Sequence, residues 1–422
     1  MGASVTETML SARQAALTIL EHVEPQPALR VPLDDALDSV LAEDISSPIN
    51  VPYWANSAMD GYAVRTQDVR GASAERPVRL RVVQSIPAGR FPERAVAAGE
   101  CARIFTGAPL PVGADCVIRQ EDTDQGTGHV AVLNDRDAGL NVRLAGEDIR
   151  AGDLVLPAGH VLGAAALGVL ASLAVAHPLV HRRPRVGILG GGDEIADVDQ
   201  PEEILAGRKV ASSNTHSLAA LVRLAGGEPV SLGIARDTPE SLRAHLAPAL
   251  DCDMLITSAG VSVGEHDHLR DVLQALGTDL KFWRVRMRPG APVGFGMLGE
   301  IPWLGLPGNP VSSMVTFELF ARPAIRRMCG HPAPFRRGVT VEIREAISLK
   351  PRLQHFLRAV VTDAGGVLEA RLTGPQGSGI LTSMLRANAL LVIPEGQHET
   401  AAGAEAVAIL LDDPAHDTRP PF

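Results

Sequence analysis

Between Ser11 and Val23 the apolar positions Ala15, Ala16, Ile19, Leu20 and Val23 recur at helical spacing, and Ser11 with Gln14 has the form of a capping box. From Pro25 to about Val51 prolines punctuate the chain, leaving one short helical stretch predicted near Leu33 to Leu41. Between Pro52 and Gly146 the pattern changes to short alternating runs, VRLRVVQSI after Pro77 and HVAVL from His129. Gly and Pro clusters bound these runs, which predicts a small β-rich module. Gly152 to Pro157 continues with strand-like alternation, and an Ala/Gly/Leu helix follows.

From Arg185 the signature becomes α/β. VGILG is a continuous apolar run, Thr215 to Leu224 is helical, PVSLGIA strand-like, Ser241 to Leu250 helical and DMLITS a buried strand. Asp267 to Leu276 reads as helix, and FWRVRM with the stretch from Val311 to Met328 closes the unit. Such alternation predicts a parallel, doubly wound sheet, whose ligands bind beyond the carboxyl ends of the strands. After His331 the runs VTVEI, FLRAVVT, GVLEARL and ALLVIP predict a small C-terminal β-barrel.

Composition narrows the partners. The 422 residues suit two to four domains, and 45% hydrophobic with 21% charged residues is globular. A net charge of -10 and only 3% aromatics argue against nucleic acid as a partner. Cys101, Cys116, Cys252 and Cys329 form no CxxC pair, so buried reduced thiols are expected. The first twenty residues lack a signal-peptide pattern, and the apolar stretch Val161 to Val175 is too short to span a bilayer. A soluble cytoplasmic protein, with no membrane partner, is the expectation.

Candidate chemistry lies at strand ends. In ITSAGVSVGEHD, Gly260 and Gly264 allow close approach of a ligand, and Ser262 with neighbouring amides can donate to oxyanions. In GLPGNPVSSM two prolines, Pro307 and Pro310, stiffen a turn made by Gly308 and Asn309, and Ser312 or Ser313 can cap the following helix. Either loop serves equally well as a plain tight connection. In FWRVRMRPG, strand alternation would put Arg284, Arg286 and Arg288 on one face, suited to oxyanions or balanced there by nearby acids. Asp193, Glu194, Asp237, Glu265 and Asp267 follow strand ends and would gather in the same crevice, where Mg²⁺ takes one or two carboxylates plus phosphate oxygens. Each acid alone also fits a helix start. No GxxxxGK[ST], HExxH or GxSxG motif occurs.

The ordered set NSAMDGYAV (Asn56 to Val64), IFTGAPLP (Ile104 to Pro111), GED (Gly146 to Asp148), GDE (Gly192 to Glu194), SAGVSVGEHD (Ser258 to Asp267), GLPGNPVS (Gly305 to Ser312) and GPQGSG (Gly374 to Gly379) resembles the MoeA family of molybdopterin molybdenumtransferases, related to the C-terminal domain of gephyrin. The resemblance implies four modules: a doubly wound molybdopterin-binding α/β domain (1–28 and 178–330), a linker domain (29–50 and 149–177), a β-rich inserted domain (51–148) and a C-terminal β-barrel (331–422). It implies joining of molybdate to the dithiolene of adenylylated molybdopterin with release of AMP, assisted by Mg²⁺.

Carried over by motif, Asp60, Thr106, Asp148, Glu194, Asp237 and Asp267 are the catalytic residues, with Glu194, Asp237 and Asp267 as metal ligands. Arg284, Arg288, Arg358 and Ser378 would join the loop residues above in binding the pterin substrate. The resemblance further implies a homodimer with shared active sites, and the pterin-adenylating enzyme and molybdoenzyme chaperones as partners. The family often has lysine where this chain has Arg284, Arg288 and Ala291, and Ser-Thr where it has Gly190-Gly191. A non-catalytic gephyrin-like scaffold and a tungsten-inserting paralogue are the alternative readings.

Overall fold

The computed structural model describes residues 9–258, 268–350 and 352–412. They form two compact units, one of residues 1–30, 38–42 and 179–422, the other of residues 31–37 and 43–178.

The larger unit is built on a six-stranded sheet. Its elements are β1 (Arg185–Gly191), α1 (Ser213–Ala225), β2 (Glu228–Ala235), α2 (Pro239–Leu246), β3 (Met254–Ser258), α3 (His268–Ala275), β4 (Asp279–Phe282), β5 (Gly294–Leu298), β6 (Ile301–Leu306) and α4 (Pro310–Thr316). The strand order is β2-β1-β3-β6-β5-β4; the first four run parallel, and β5 pairs antiparallel with both β6 and β4. Alternation along the strands feeds two cores. Met254, Ile256 and Leu304 pack with α1, α4 and the N-terminal helix Ala12–Leu20, while Leu255 and Trp303 pack with α2 and α3. Apolar side chains on both faces make the sheet doubly wound. The N-terminal helix carries the expected capping box, the Ser11 side chain accepting from the Gln14 amide.

In the same unit five strands close into a barrel. Gln354–Asp363 pairs with both Leu368–Leu372 and Ala389–Ile393, and Gly338–Ile343 and Glu405–Leu410 complete the ring. Closure removes exposed strand edges.

The smaller unit holds a five-stranded sheet in the order Cys116–Arg119, Gly61–Val64, Glu100–Ile104, Val78–Ile86, His129–Val132. Gly61 is required there, because a Cβ would lie 2.0 Å from the Ile118 carbonyl oxygen. Helix Ala164–Ser172 and the pair Ile45–Ser46 with Leu154–Leu156 belong to this unit as well.

Two local expectations are corrected. Leu33 to Leu41 forms only a 3-10 turn, Leu33–Asp35, and Asp38 at φ 61° is incompatible with continuing a right-handed helix. FWRVRM is not one strand. The chain leaves β4 after Phe282, and Met287–Arg288 pairs instead with Gln354–His355 of the barrel. Alternation in burial persists through the bend: Val285 and Met287 are buried while Arg284 and Arg288 are exposed.

Candidate active site

A cleft of about 590 Å³ opens at the carboxyl ends of β1, β3 and β6. Gly190 and Gly191 from β1, Ser258 from β3 and Pro307–Pro310 after β6 form its floor and one wall. Ser212 to Thr215 at the head of α1, with Glu194, Ile195, Val210 and Ala211, form the other. The position follows from topology, since diverging connections leave a crevice where parallel strands end.

Asn214 ties the walls together. Its Nδ2 donates to Ser258 Oγ (2.7 Å) and to the Gly308 carbonyl (2.8 Å), so one amide links α1, β3 and the loop after β6. Its Oδ1 is buried without a hydrogen-bond partner. The Ser212 hydroxyl pairs with Thr215 Oγ1 (2.8 Å) and caps no amide of the helix it precedes. This stretch was missed by sequence reasoning, which started the helix at Thr215. The available signal was SSNT, a run of cap-forming residues following a strand.

Pro307, Gly308, Asn309 and Pro310 line the cleft as anticipated for the loop. Capping by Ser312 or Ser313 is corrected. Pro310 occupies the first helical position, so Asn309 is the cap residue and both serines fall inside the first turn, where they are buried. The Val311 amide donates to the Ser378 carbonyl (3.1 Å), which brings the GPQGSG loop against α4 and places Gly379 on the cleft wall.

Arg358 stands behind that loop. It is 1% exposed; Nε donates to Ser383 Oγ (3.1 Å), Nη2 to the Gly377 carbonyl (3.1 Å), and its backbone amide to Gln376 Oε1 (2.9 Å). Burial pushes its guanidinium down to about 10.

The carboxylates are distributed unevenly. Glu194 is the one charged residue lining the cleft among the described residues. Gly192 sits at φ 128°, a backbone conformation that L side chains rarely adopt, so the GDE turn favours glycine. Asp193 and Asp237 exchange contacts, each backbone amide lying 3.4 Å from the other's carboxylate oxygen. Asp237 is exposed. Gly260, Ser262, Gly264 and Asp267 lie outside the described residues. Among those described, no group of three or more His, Cys, Asp or Glu side chains could hold a metal ion. Glu194 lines the cleft and Asp237 does not; an Mg²⁺ characteristically takes one or two carboxylates and completes its shell with phosphate oxygens and water.

Neither Arg284 nor Arg288 lines this cleft. Arg288 lines a second cavity of about 370 Å³, with Lys350, Arg352, Leu353 and His355. Arg286 bonds to the Met9 carbonyl (2.6 Å) and pairs with Glu395 (3.3 Å).

In the smaller unit, Asp60 Oδ1 accepts from the Thr106 amide (2.8 Å) and hydroxyl (2.7 Å). The Thr106 backbone amide, then its hydroxyl, hold the carboxyl below the usual aspartate range. Asp148 is exposed, and its amide donates to the Val51 carbonyl (3.0 Å). All four cysteines are free and buried; burial pushes the Cys101 thiol up to about 12 and Cys329 to about 11, which leaves them poor nucleophiles. No described helix is long and apolar enough to cross a membrane.

Known proteins share this architecture. The MoeA N-terminal region (domain I and II) matches residues 10–174, a probable molybdopterin binding domain residues 187–327, and the MoeA C-terminal region (domain IV) residues 340–411. The molybdopterin molybdenumtransferase of Nostoc is 38% identical over 379 residues, 88% of this chain and 86% of its own length. Molybdopterin molybdenumtransferase 2 of Mycobacterium tuberculosis is 36% identical over 94% of this chain and 98% of its own. Two structures of the molybdopterin biosynthesis MoeA protein from Pyrococcus horikoshii superpose with TM-scores of 0.80 and 0.79, at 30% and 28% identity, over 96% of this chain and all of theirs. By these matches the chain belongs to the MoeA family of molybdopterin molybdenumtransferases and is a transferase of molybdenum cofactor biosynthesis.

Proposed function

We propose that the protein joins molybdate to the dithiolene of adenylylated molybdopterin, releasing AMP and the molybdenum cofactor, in the cytoplasm. The observation that carries this reading is the cleft at the carboxyl ends of β1, β3 and β6. It has room for a heterocyclic ligand and, among the described residues, walls of backbone, proline and hydroxyl groups with one carboxylate, Glu194. Glu194, Asp237 and Asp267 would hold Mg²⁺, which when bound neutralises charge on the phosphates. Ser212, Asn214 and the loop Pro307–Pro310 hold and orient the ligand, and Arg284 and Arg288 supply cations for its oxyanions. The direct test supplies purified protein with adenylylated molybdopterin, molybdate and Mg²⁺ and follows AMP and cofactor. Formation of neither refutes the reading, and parallel reactions with tungstate measure its metal preference.

The active form is a homodimer in which Asp60, Thr106 and Asp148 of one subunit complete the cleft of the other. The grouping of functional polar residues on two separate units supports this arrangement. A two-fold axis would then create two equivalent composite sites. Asp60→Asn and Asp237→Asn proteins should each be nearly inactive, while their mixed dimer regains about half of wild-type activity, because one composite site carries both defects and the other neither. A verified mixed dimer with no activity, from two folded parents, sinks the shared site.

A further inference from the structure

Between β1 and α1 the chain makes an excursion, residues 192–212, that supplies one wall of the cleft through Glu194, Ile195, Val210, Ala211 and Ser212. The excursion is braced within itself. Its limbs pair in parallel, Ile195 with Val210 and Ala196 with Ala211, and the Val210 amide donates to the Glu194 carbonyl (2.8 Å). Arg208 forks onto Glu203 (3.0 and 2.7 Å) beside the short helix Pro201–Leu205, and the Lys209 ammonium bonds the Asp193 carbonyl. So braced, it is a flap, and its placement is decided at its roots and by what ties it to the rest of the unit. Its larger apolar side chains do little of that: Val198, Leu205 and Val210 are 56%, 87% and 60% exposed. At the first root Asp193 and Asp237 exchange the 3.4 Å contacts described above. At the second the Ser212 amide donates to the Ala196 carbonyl (2.9 Å).

Beyond the roots, one side-chain hydrogen bond ties the flap down among the described residues: His216 Nε2 lies 2.9 Å from Asp197 Oδ1. The His216 bond, then the Val198 amide, hold the Asp197 carboxyl below the usual aspartate range, so the carboxylate accepts and the imidazole donates. His216 is the fourth residue of α1 and stands two beyond Asn214; residues two apart on a helix do not share a side. The helix therefore holds β3 and the loop after β6 through Asn214, and the flap through His216. We infer that Asp197 and His216 are positioning residues: their bond fixes the flap as the cleft wall and thereby places the Glu194 carboxylate. An exposed pair contributes little to global stability, so its leverage is local. The catalytic consequence rests on the reading of Glu194 as a metal ligand, whereas the tie itself does not.

The test compares the full-length wild type with His216→Ala, Asp197→Ala and the double variant by amide hydrogen exchange without substrate. The Ser212 amide, bonded to Ala196 one residue before Asp197, reports the tie. Each single variant should speed its exchange about two- to fivefold, the scale of one exposed pair, while the melting temperature changes little. The double variant should exchange no faster than either single one, because both substitutions remove the same bond. His216→Gln, whose side-chain amide nitrogen can take the place of Nε2, should restore slow exchange. In cofactor assays the alanine variants should need about two- to fivefold more Mg²⁺ for the half-maximal rate, and His216→Gln should reverse this. Wild-type exchange at Ser212 in the folded variants, or effects that add in the double variant, overturns the tie. Faster exchange with an unchanged Mg²⁺ requirement overturns the positioning of Glu194. Should no cofactor form even with the wild type, the reaction is refuted and the exchange comparison alone decides the tie.

Discussion

Among the described residues, the cleft above β1, β3 and β6 carries one charged wall residue, Glu194, amid glycines, prolines and hydroxyls, whereas the cavity beside the barrel is lined by Arg288, Lys350 and Arg352 and no acid. Both lie in the larger unit. The difference separates two ways of holding a ligand. Backbone and hydroxyl groups at fixed spacing suit the recognition of a shape, whereas exposed cations set up a field that salt screens. The sharpest way to break this contrast is to remove the charge of Glu194, the one charged side chain among the described residues that line the cleft. On the proposed role of Glu194 as a metal ligand, Glu194→Gln should lower cofactor formation by about 100-fold or more, since losing a residue that merely orients a ligand already costs about 10–100-fold. Turnover within twofold of wild type would mean that the cleft works without its carboxylate.

A smaller effect is expected from the neutral strut. Asn214→Ala leaves Ser258 Oγ and the Gly308 carbonyl without their shared donor, at a cost of about 1–3 kcal/mol. Because the bonds join α1, β3 and the loop after β6, KM for the pterin substrate should rise and the melting temperature fall by a few degrees. Asn214→Asp tests the mechanism, since a carboxylate oxygen cannot donate to the Gly308 carbonyl. Aspartate performing like asparagine would show that shape alone matters there.

How much of this was legible in the sequence depended on whether the signal was local. The capping box at Ser11 and Gln14, the strand Val78–Ile86 and the barrel strands follow from periodicity and cap chemistry within a few residues. The loop Pro307–Pro310 was placed at the cleft because a βα connection in a doubly wound sheet leaves little choice. Arg288 was not. Alternation set Val285 and Met287 on the face opposite Arg284 and Arg288, and the first two are buried and the last two exposed, but one backbone change after Phe282 sends Met287–Arg288 to the barrel. That pairing joins residues more than sixty positions apart, and no local pattern encodes it. Arg358 looked like a ligand contact by motif, whereas its side chain is buried behind the loop whose Gly377 carbonyl it binds. Asn214 escaped notice for the opposite reason: its partners, Ser258 and Gly308, lie on distant stretches that meet only in the folded sheet.

The smallest expected effect concerns a third way of holding charge, in the other unit. Asp60 keeps its carboxylate by accepting two hydrogen bonds from Thr106, the backbone amide being the larger influence and the hydroxyl the smaller. A carboxyl held below its ordinary value of 3.8 contributes stability that is present above that unfolded value and is lost as pH falls through the lower folded one. Thr106→Val removes the hydroxyl and keeps the amide. The Asp60 pKa should therefore rise only part of the way toward 3.8, and the stability change near neutral pH should stay below about 1 kcal/mol, since water screens this exposed pair. Carboxyl-carbon NMR titration of Asp60 reads the shift directly. A value unchanged in the variant would assign the whole effect to the amide, and one raised to 3.8 or above would show that the backbone bond breaks when the hydroxyl is lost. In either case the Asp60–Thr106 pair would no longer rest on both donors, as the geometry requires.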